Sequence, residues 1–389
     1  MLLKNNLLPR PKISYSKLEI MKSILTLQNF LPEFSSLIYS LKANNYQPLV
    51  DFMSDFTQGF DICSQEEIDI LIQSNISGKD IFITGYDKVN IQHSSLLKLS
   101  SSGNTLFFVL ESVHEISFFK YLVQSGINGK GLFRLSYMPG TNYGIYNGLP
   151  KSHFGMTKKE IIDCLGEGGY FYLKNIVGFH CYIGSQIQSI DSMMISLGNA
   201  VDEIREICLA TDFQPDVVNF GGGFPHSFGS PYKPLSCPEI SLTDSLRHKL
   251  NSLCHPPKSV FFESGRGIVG SSGRLEVSLL DYNINSHSPY LVINAGISQI
   301  GALHLVRSLR PSPMIFYGND EQPADINALQ KFDVYGPACT SLDHAGTAYL
   351  DPALISELQT LYCDNMGAYT ASAALNGFHA KARINEELT

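Results

Sequence analysis

The chain predicts an α/β protein: a (β/α)8 barrel of the TIM type followed by a C-terminal all-β domain. Three observations carry this. Short β-rich runs alternate with longer runs of helical spacing as far as Arg266. Polar residues recur at the C-terminal ends of those β-runs. Beyond Arg266 the helical spacing stops while β-rich runs continue.

The runs justify the barrel one by one. LIYSLKAN (37–44) opens the series and QPLVDFMSDF follows it. GFDICS (59–64) precedes QEEIDILIQS, whose apolar residues fall at helical spacing. DIFITG (80–85) precedes a Ser- and Leu-rich helix, and TLFFVL (105–110) precedes ESVHEISFFKYLVQSG. GLFRLS (131–136) leads through a loop to TKKEIIDCLGEG, and NIVGFHCYIG (175–184) leads to SIDSMMISLGNAVDEIREICLATD. DVVNFGGG (216–223) leads to SLTDSLRHKLNSLC, and SVFFESGR (259–266) closes the series. Alternation of strand and helix implies a parallel sheet. Eight such units in about 230 residues match a barrel, whose usual length is about 250. A doubly wound open sheet is the alternative. Lys42, Asp61, Ser185, Gly221 to Gly223, Glu263 and Arg266 all fall at or just past strand C-termini. A barrel gathers those ends at one mouth, whereas an open sheet spreads them along an edge.

The domains expected are 1–36, an N-terminal segment whose PKISYS could join the β domain; 37–266, the barrel; and 267–389, the β domain with RLEVSLLDYNI, PYLVINAG, MIFYGN, KFDVYGPACTS and LQTLYCDNMGAY.

Composition narrows the function classes. Of 389 residues, 44% are hydrophobic and 16% charged, which excludes a disordered chain. The net charge is −8 with no basic stripe, so neither nucleic acid nor an anionic membrane is an expected partner. The eight cysteines form no C-x-x-C pair and no zinc spacing with histidine, so no metal site is expected, and they fit a reducing cytoplasm. No apolar stretch reaches signal-peptide or membrane-span proportions, and a cytoplasmic enzyme is expected.

The chemistry starts from Lys42, at the end of a β-run. Such a lysine either snorkels to solvent or, if desolvated, forms a Schiff base with a carbonyl; taken alone, the first reading is favoured. Gly221, Gly222 and Gly223 follow the seventh β-run and Arg266 the eighth, where barrels recurrently bind phosphate. A lysine with a phosphate site suggests pyridoxal 5′-phosphate (PLP). Glu263 then reads as a carboxylate for the pyridine nitrogen, with an ion pair to Arg266 as the bland alternative.

At this point the sequence resembles a family, the fold-type III PLP-dependent decarboxylases, which include ornithine, arginine and diaminopimelate decarboxylases. YSLKANN (39–45) resembles the segment of the cofactor lysine, which implies Lys42 as the Schiff-base residue, and GFDICSQEE (59–67) supplies the nearby aspartate, Asp61. FRLS (133–136) supplies the cofactor-proximal arginine, Arg134, and SHFGM (152–156) resembles the segment before the next helix. GFHCYIGSQ (178–186) carries Tyr182 where the family stacks a histidine on the pyridine ring, and Ser185 at the serine that contacts the phosphate. NFGGGFP (219–225) resembles the phosphate loop, and ESGR (263–266) keeps Glu263 and Arg266 but has Ser264 in place of proline. GPACTSLD (336–343) resembles the segment lent by the other subunit of a homodimer, which implies Cys339 as the proton donor to Cα; Asp343 stays open between substrate contact and loop capping. GAYTASAALNGF (367–378) implies Tyr369 as a phosphate ligand. His180 reads as a satisfied core histidine, and the family arrangement is alanine racemase-like.

Two departures bear on the substrate. Thr340 stands where the basic-amino-acid decarboxylases have an acidic residue, and INAGISQIG (293–301) has Asn294 in place of aspartate and lacks the arginine usual downstream. They point away from free ornithine, lysine and diaminopimelate and towards the branch serving siderophore and antibiotic pathways, whose substrates are amino acids conjugated to citrate or a carrier. The alternatives are a decarboxylase of free diaminopimelate or ornithine, a PLP-dependent racemase, and an inactive regulatory relative.

Overall fold

The first elements of the computed structural model are strand β1 (Lys12–Tyr15) and helix α1 (Lys17–Phe30). The structure describes residues 8–136, 153–167, 174–187, 189–226, 229, 242–253, 255–301, 314–318 and 329–389; Ser152, Gly168, Ser241, Cys254 and Asn319 of the segments above lie outside them. Helix α1 is an element the β-run pattern misses. Its apolar positions Ile20 and Ile24 are one turn apart and buried, a spacing visible in the sequence.

Eight parallel strands close into a barrel: β2 (Ser35–Ser40), β3 (Gly59–Ile62), β4 (Asp80–Ile83), β5 (Thr105–Leu110), β6 (Gly129–Leu135), β7 (Ile176–Cys181), β8 (Val217–Asn219) and β9 (Ser259–Ser264). Between them run α2 (Gln47–Met53), α3 (Gln65–Gln73), α4 (His93–Ser101), α5 (Val113–Gln124), α6 (Lys158–Glu167), α7 (Ile190–Thr211) and α8 (Leu242–Leu250). The start of α3 shows how the connections are fixed. The hydroxyl of Ser64 accepts the Glu67 N–H, while the Glu67 carboxylate reaches back to accept the Cys63 N–H at 2.7 Å. That exchange pins the turn just beyond Asp61.

The interior of the barrel is a plug. Ile38, Phe82, Phe107, Val109, Leu132, Val217 and Phe261 form one buried cluster. The rings of Phe82 and Phe107 stack at 4.7 Å, and Phe261 meets Phe82 edge-on at 5.0 Å. Side chains two residues apart on a strand share a face. The layer above this plug is therefore set by the sequence: Ser40 follows Ile38, Thr84 follows Phe82, Glu111 follows Val109, Arg134 follows Leu132, Asn219 follows Val217 and Glu263 follows Phe261. Cross-strand register places Arg134 opposite His180, His180 opposite Asn219, and Ser40 opposite Asp61. An apolar layer below and a polar layer at the strand C-termini is the arrangement that builds a barrel mouth.

The β unit contains β1, β10 (Gly273–Asn283), β11 (Tyr290–Ile293), β12 (Met314–Gly318), β13 (Gln330–Tyr335), β14 (His344–Leu350), β15 (Thr360–Asp364) and β16 (Asn385–Leu388). Long β10 pairs with β1 and β15 near its start and with β11 near its end. Strands β11, β13, β14, β12, β15 and β10 thereby form a closed circuit, with β1 added beside β10 and β16 beside β1. Among the described residues, those from 22 to 225 and from 242 to 268 form the barrel unit. The described residues among 8–21, 226, 229, 269–301, 314–318 and 329–389 form the β unit.

Candidate active site at the barrel mouth

Lys42 sits in a single helical turn, Leu41–Ala43, directly after β2. Its neighbours Leu41 and Ala43 are buried, which anchors the turn and leaves the lysine side chain half exposed at the mouth. Its Nζ lies 2.8 Å from Asp61 Oδ2 at the end of β3. The other oxygen of Asp61 accepts the Thr84 hydroxyl at 2.7 Å. Asp61 is thus held from two strands, and its carboxylate in turn places the amine.

Across the mouth, Glu263 at the end of β9 is buried. Its Oε1 accepts Asn219 Nδ2 at 2.9 Å and lies 3.1 Å from His180 Nε2. Burial alone would raise this carboxyl; the His180 ring, Lys42 and Asn219 outweigh it and hold the group down at about 2. Glu263 is therefore ionised across the physiological range. Both hydrogen bonds fall on Oε1, and no described residue hydrogen-bonds Oε2. The His180 expectation of a satisfied core histidine needs correction. The ring is buried, but its Nδ1 has no hydrogen-bond partner among the described residues, and its Nε2 is spent on Glu263. Glu263 takes these bonds from β7 and β8, and the ion pair with Arg266 weighed from sequence is not what holds it.

A second acidic residue, Glu111, was not singled out from sequence. Its Oε1 accepts Arg134 Nη1 at 2.7 Å and the Gly85 N–H at 3.0 Å. The guanidinium of Arg134 also lies over the Phe154 ring at 4.7 Å. Behind it, Glu115 accepts the Glu111 N–H at 2.7 Å and the fully buried Lys88 Nζ at 2.8 Å. The signal for Glu111, His180 and Asn219 was available in the strands: each continues the inward period of its strand above the apolar plug.

The glycine run forms a turn that other residues would not fit. Gly221 has φ +64 and Gly223 φ +127. A Cβ on Gly221 would lie 2.9 Å from the Cys181 carbonyl oxygen. The Gly221 N–H donates to Asn219 Oδ1 at 2.8 Å, and the Gly223 carbonyl accepts the Ile187 N–H at 2.9 Å. This last bond joins the glycine turn to the loop after β7 that carries half-buried Tyr182 and Ser185. Arg266 begins a short helical turn, α9 (Arg266–Val269), after β9.

The barrel mouth therefore brings together Lys42 with Asp61, Glu263 with His180 and Asn219, Arg134 with Glu111, and Ser185 with the glycine turn. Cys339, Thr340, Asp343 and Tyr369 belong to the β unit. There Asp343 is buried, and its two carboxylate oxygens accept the Ile297 and Ala338 N–H groups, each at 2.7 Å. Both Asp343 carboxylate oxygens thus cap the loop between them. Cys339 is exposed, whereas burial pushes the thiols of Cys63 and Cys181 up to about 12. Among the described residues no cluster suited to a metal ion occurs, and no helix is long and apolar enough to cross a membrane.

Chemically, the mouth offers a primary amine, a buried carboxylate with one free oxygen, and a glycine turn beside a serine. That set suits a flat, cationic heteroaromatic aldehyde with an anionic tail. The comparisons agree with it. Residues 18–270 match the family model for the pyridoxal binding domain of pyridoxal-dependent decarboxylases. The chain is 27% identical over 352 residues to a diaminopimelate decarboxylase of Helicobacter pylori, covering 87% of this chain and 80% of the relative. It is 24% identical over 340 residues to the L-glutamyl-(BtrI acyl-carrier protein) decarboxylase of Niallia circulans, covering 86% and 78%. In fold it resembles the crystal structure of diaminopimelate decarboxylase from Methanocaldococcus jannaschii with L-lysine, at TM-score 0.78 and 19% identity, covering 97% and 87% of the two chains.

Proposed function

The chain belongs to the fold-type III PLP-dependent decarboxylases, and from that premise we propose that it removes the α-carboxylate of an amino acid whose far end is conjugated, as in a citryl- or carrier-linked diamino acid. That it is a PLP-dependent amino-acid decarboxylase follows from the family; the residue roles and the substrate are the proposal.

The mouth fits the cofactor by one observation: Glu263 is buried, and its Oε2 has no hydrogen-bond partner among the described residues. In the proposed site Lys42 holds the aldehyde carbon, with Asp61 placing its amine. Glu263 keeps the pyridine nitrogen protonated, and Tyr182 lies against the ring. Arg134 lines the site. Gly221, Gly222, Gly223, Ser185, Arg266 and Tyr369 hold the phosphate. When bound, PLP supplies a sink for the electron pair left at Cα. Cys339 then gives a proton to Cα. We assign the barrel to 37–266, the β domain to 267–389 with help from 1–36, and an alanine racemase-like arrangement in a cytoplasmic homodimer with shared sites.

One observation carries the substrate reading. Thr340, directly after Cys339, has no carboxylate to meet a substrate ammonium, and its hydroxyl accepts the Leu342 N–H at 3.3 Å. Asn294 is likewise occupied: its amide donates to the Pro9 carbonyl at 2.8 Å and accepts the Ser278 N–H at 2.9 Å. The relative acting on a carrier-bound glutamyl group is consistent with a conjugated substrate in specialised metabolism such as siderophore assembly. The second reading, free diaminopimelate, draws on the relatives of that name. Carbon dioxide release decides between them. Free diaminopimelate, ornithine, lysine and glutamate should be poor substrates beside a citryl-diamino acid and a carrier-tethered amino acid. Efficient turnover of free diaminopimelate would overturn the conjugated reading.

A further inference from the structure

Cys339 has a neighbour that the proposed mechanism does not use. Its Sγ lies 3.9 Å from Nε2 of His379, and both side chains are exposed. Their meeting is built. Ile297 anchors both segments: its N–H donates to Asp343, which caps the 336–343 turn carrying Cys339, and its carbonyl accepts the Leu375 N–H at 2.9 Å, four residues before His379. Within the turn, Gly336 N–H donates to the Asp343 carbonyl at 2.8 Å and Thr340 N–H to the Ala338 carbonyl at 2.8 Å. A Cβ on Gly296 or Gly336 would come within 2.3 Å of the Asp343 carboxylate, so the cap excludes larger residues at both places. On the other segment Gly377, His379 and Ala380 all have positive φ, of 87, 57 and 51. The backbone bends through left-handed conformations that His and Ala rarely adopt, and the turn sets the imidazole beside the thiol. The Phe378 ring packs against it at 4.3 Å.

We infer that His379 is a positioning residue that returns the proton to Cys339 after each turnover. The inference rests on the reading of Cys339 as the proton donor. A thiol that has given its proton is left as a thiolate, and it must be reprotonated before the next cycle. In the first transfer the Sγ–H bond breaks and a Cα–H bond forms, taking the place of the carboxylate lost as carbon dioxide. In the second the Nε2–H bond of His379 breaks and Sγ–H forms again. Water then reprotonates the exposed ring, so each turnover consumes one solvent proton. Imidazole suits this task because it exchanges protons near neutral pH. The charged groups on the two segments are Asp343, whose oxygens are spent on backbone amides, and Lys381, which makes no ion pair among the described residues. Beyond them Arg383 pairs with Glu386 at 3.2 Å.

The test is the rate of Cys339 alkylation by iodoacetamide in the PLP-loaded protein, followed by peptide mass spectrometry across pH. His379→Gln should lower the rate at neutral pH by about tenfold, because the thiol loses the neighbouring base that takes its proton. His379→Asn should do the same. Labelling at buried Cys181 and Cys363 reports unfolding and should stay low in every variant. Alkylation profiles matching wild type in both variants would overturn the inference. The reading beneath it is tested separately by the ratio of amine formed to carbon dioxide released, on the most active compound of the panel above. Cys339→Ala should lower that ratio below one. If the ratio holds at one, Cys339 is not the donor and the relay falls with it. If the ratio falls while the His379 variants label like wild type, only the relay is lost.

Discussion

The barrel mouth and the Cys339 turn position reactive groups by opposite means. At the mouth, position comes from strand register. Asp61, Glu111, Arg134, His180, Asn219 and Glu263 occupy one layer because each follows an inward residue of a closed parallel barrel, and Lys42 joins them from the turn directly after β2. The carboxylates there are buried and face a cation or an amide at 2.7 to 3.1 Å. In the β unit, position comes from one capped turn. Cys339 and His379 are exposed, and a single buried carboxylate, Asp343, ties down the turn. The first arrangement suits fixing a cofactor's charge. The second suits handling a proton that must reach solvent.

The largest effect should follow from Glu263→Gln. It keeps the shape but removes the charge, and kcat should fall by about 10²- to 10³-fold, the usual loss of one preorganised electrostatic partner. The same variant reads stability. Because Glu263 is depressed to about 2 in the fold, its contribution is present above the ordinary carboxylate range and is lost as pH falls from there towards about 2. Melting curves should show the gap between wild type and Glu263→Gln closing as pH drops; a gap that widens would contradict the assignment.

A smaller but clean effect tests whether the two regions serve one site from different chains. As homodimers, Lys42→Ala should be inactive, and Cys339→Ala should form little amine while still releasing carbon dioxide. Mixed in equal amounts with subunit exchange, they should regain about a quarter of wild-type amine formation, since half the dimers carry one intact site. No recovery despite exchange would place both residues in one chain's site or remove Cys339 from it.

The remaining contrast is in stability. Phe82→Ala removes the centre of the plug and should cost about 3–5 kcal/mol in denaturant unfolding, with the whole mouth loosened. Asp343→Asn should cost about 1–3 kcal/mol and disturb chiefly the Cys339 turn. Equal losses of both functions in both variants would erase the distinction between register and cap.

How much of this was legible in the sequence follows the same division. The barrel strands and the order of Lys42, Asp61, Gly221 to Gly223 and Glu263 could be read because period-2 and period-3.6 patterns are local. Glu111 and His180 could have been read by extending the inward period two residues beyond Val109 and Gly178, but a short β-run gives no reason to look past its end. Helix α1 could have been read from the spacing of Ile20 and Ile24, but it precedes the first barrel β-run, where the alternation gives no cue. The Cys339–His379 pair was beyond reach: it depends on Ile297 bonding to two segments far apart in the chain, and on positive φ at His379 and Ala380, residues that do not advertise it.

The central claim is that Lys42 is where this chain holds its cofactor. The direct measurement is borohydride reduction of the PLP-loaded protein, followed by digestion and mass spectrometry of every lysine peptide. The account predicts one modified lysine, Lys42, and no modification in Lys42→Ala. Label on Lys88, the buried lysine paired with Glu115 behind Arg134, or on any other lysine of the wild-type protein with Lys42 left unmodified, would contradict it.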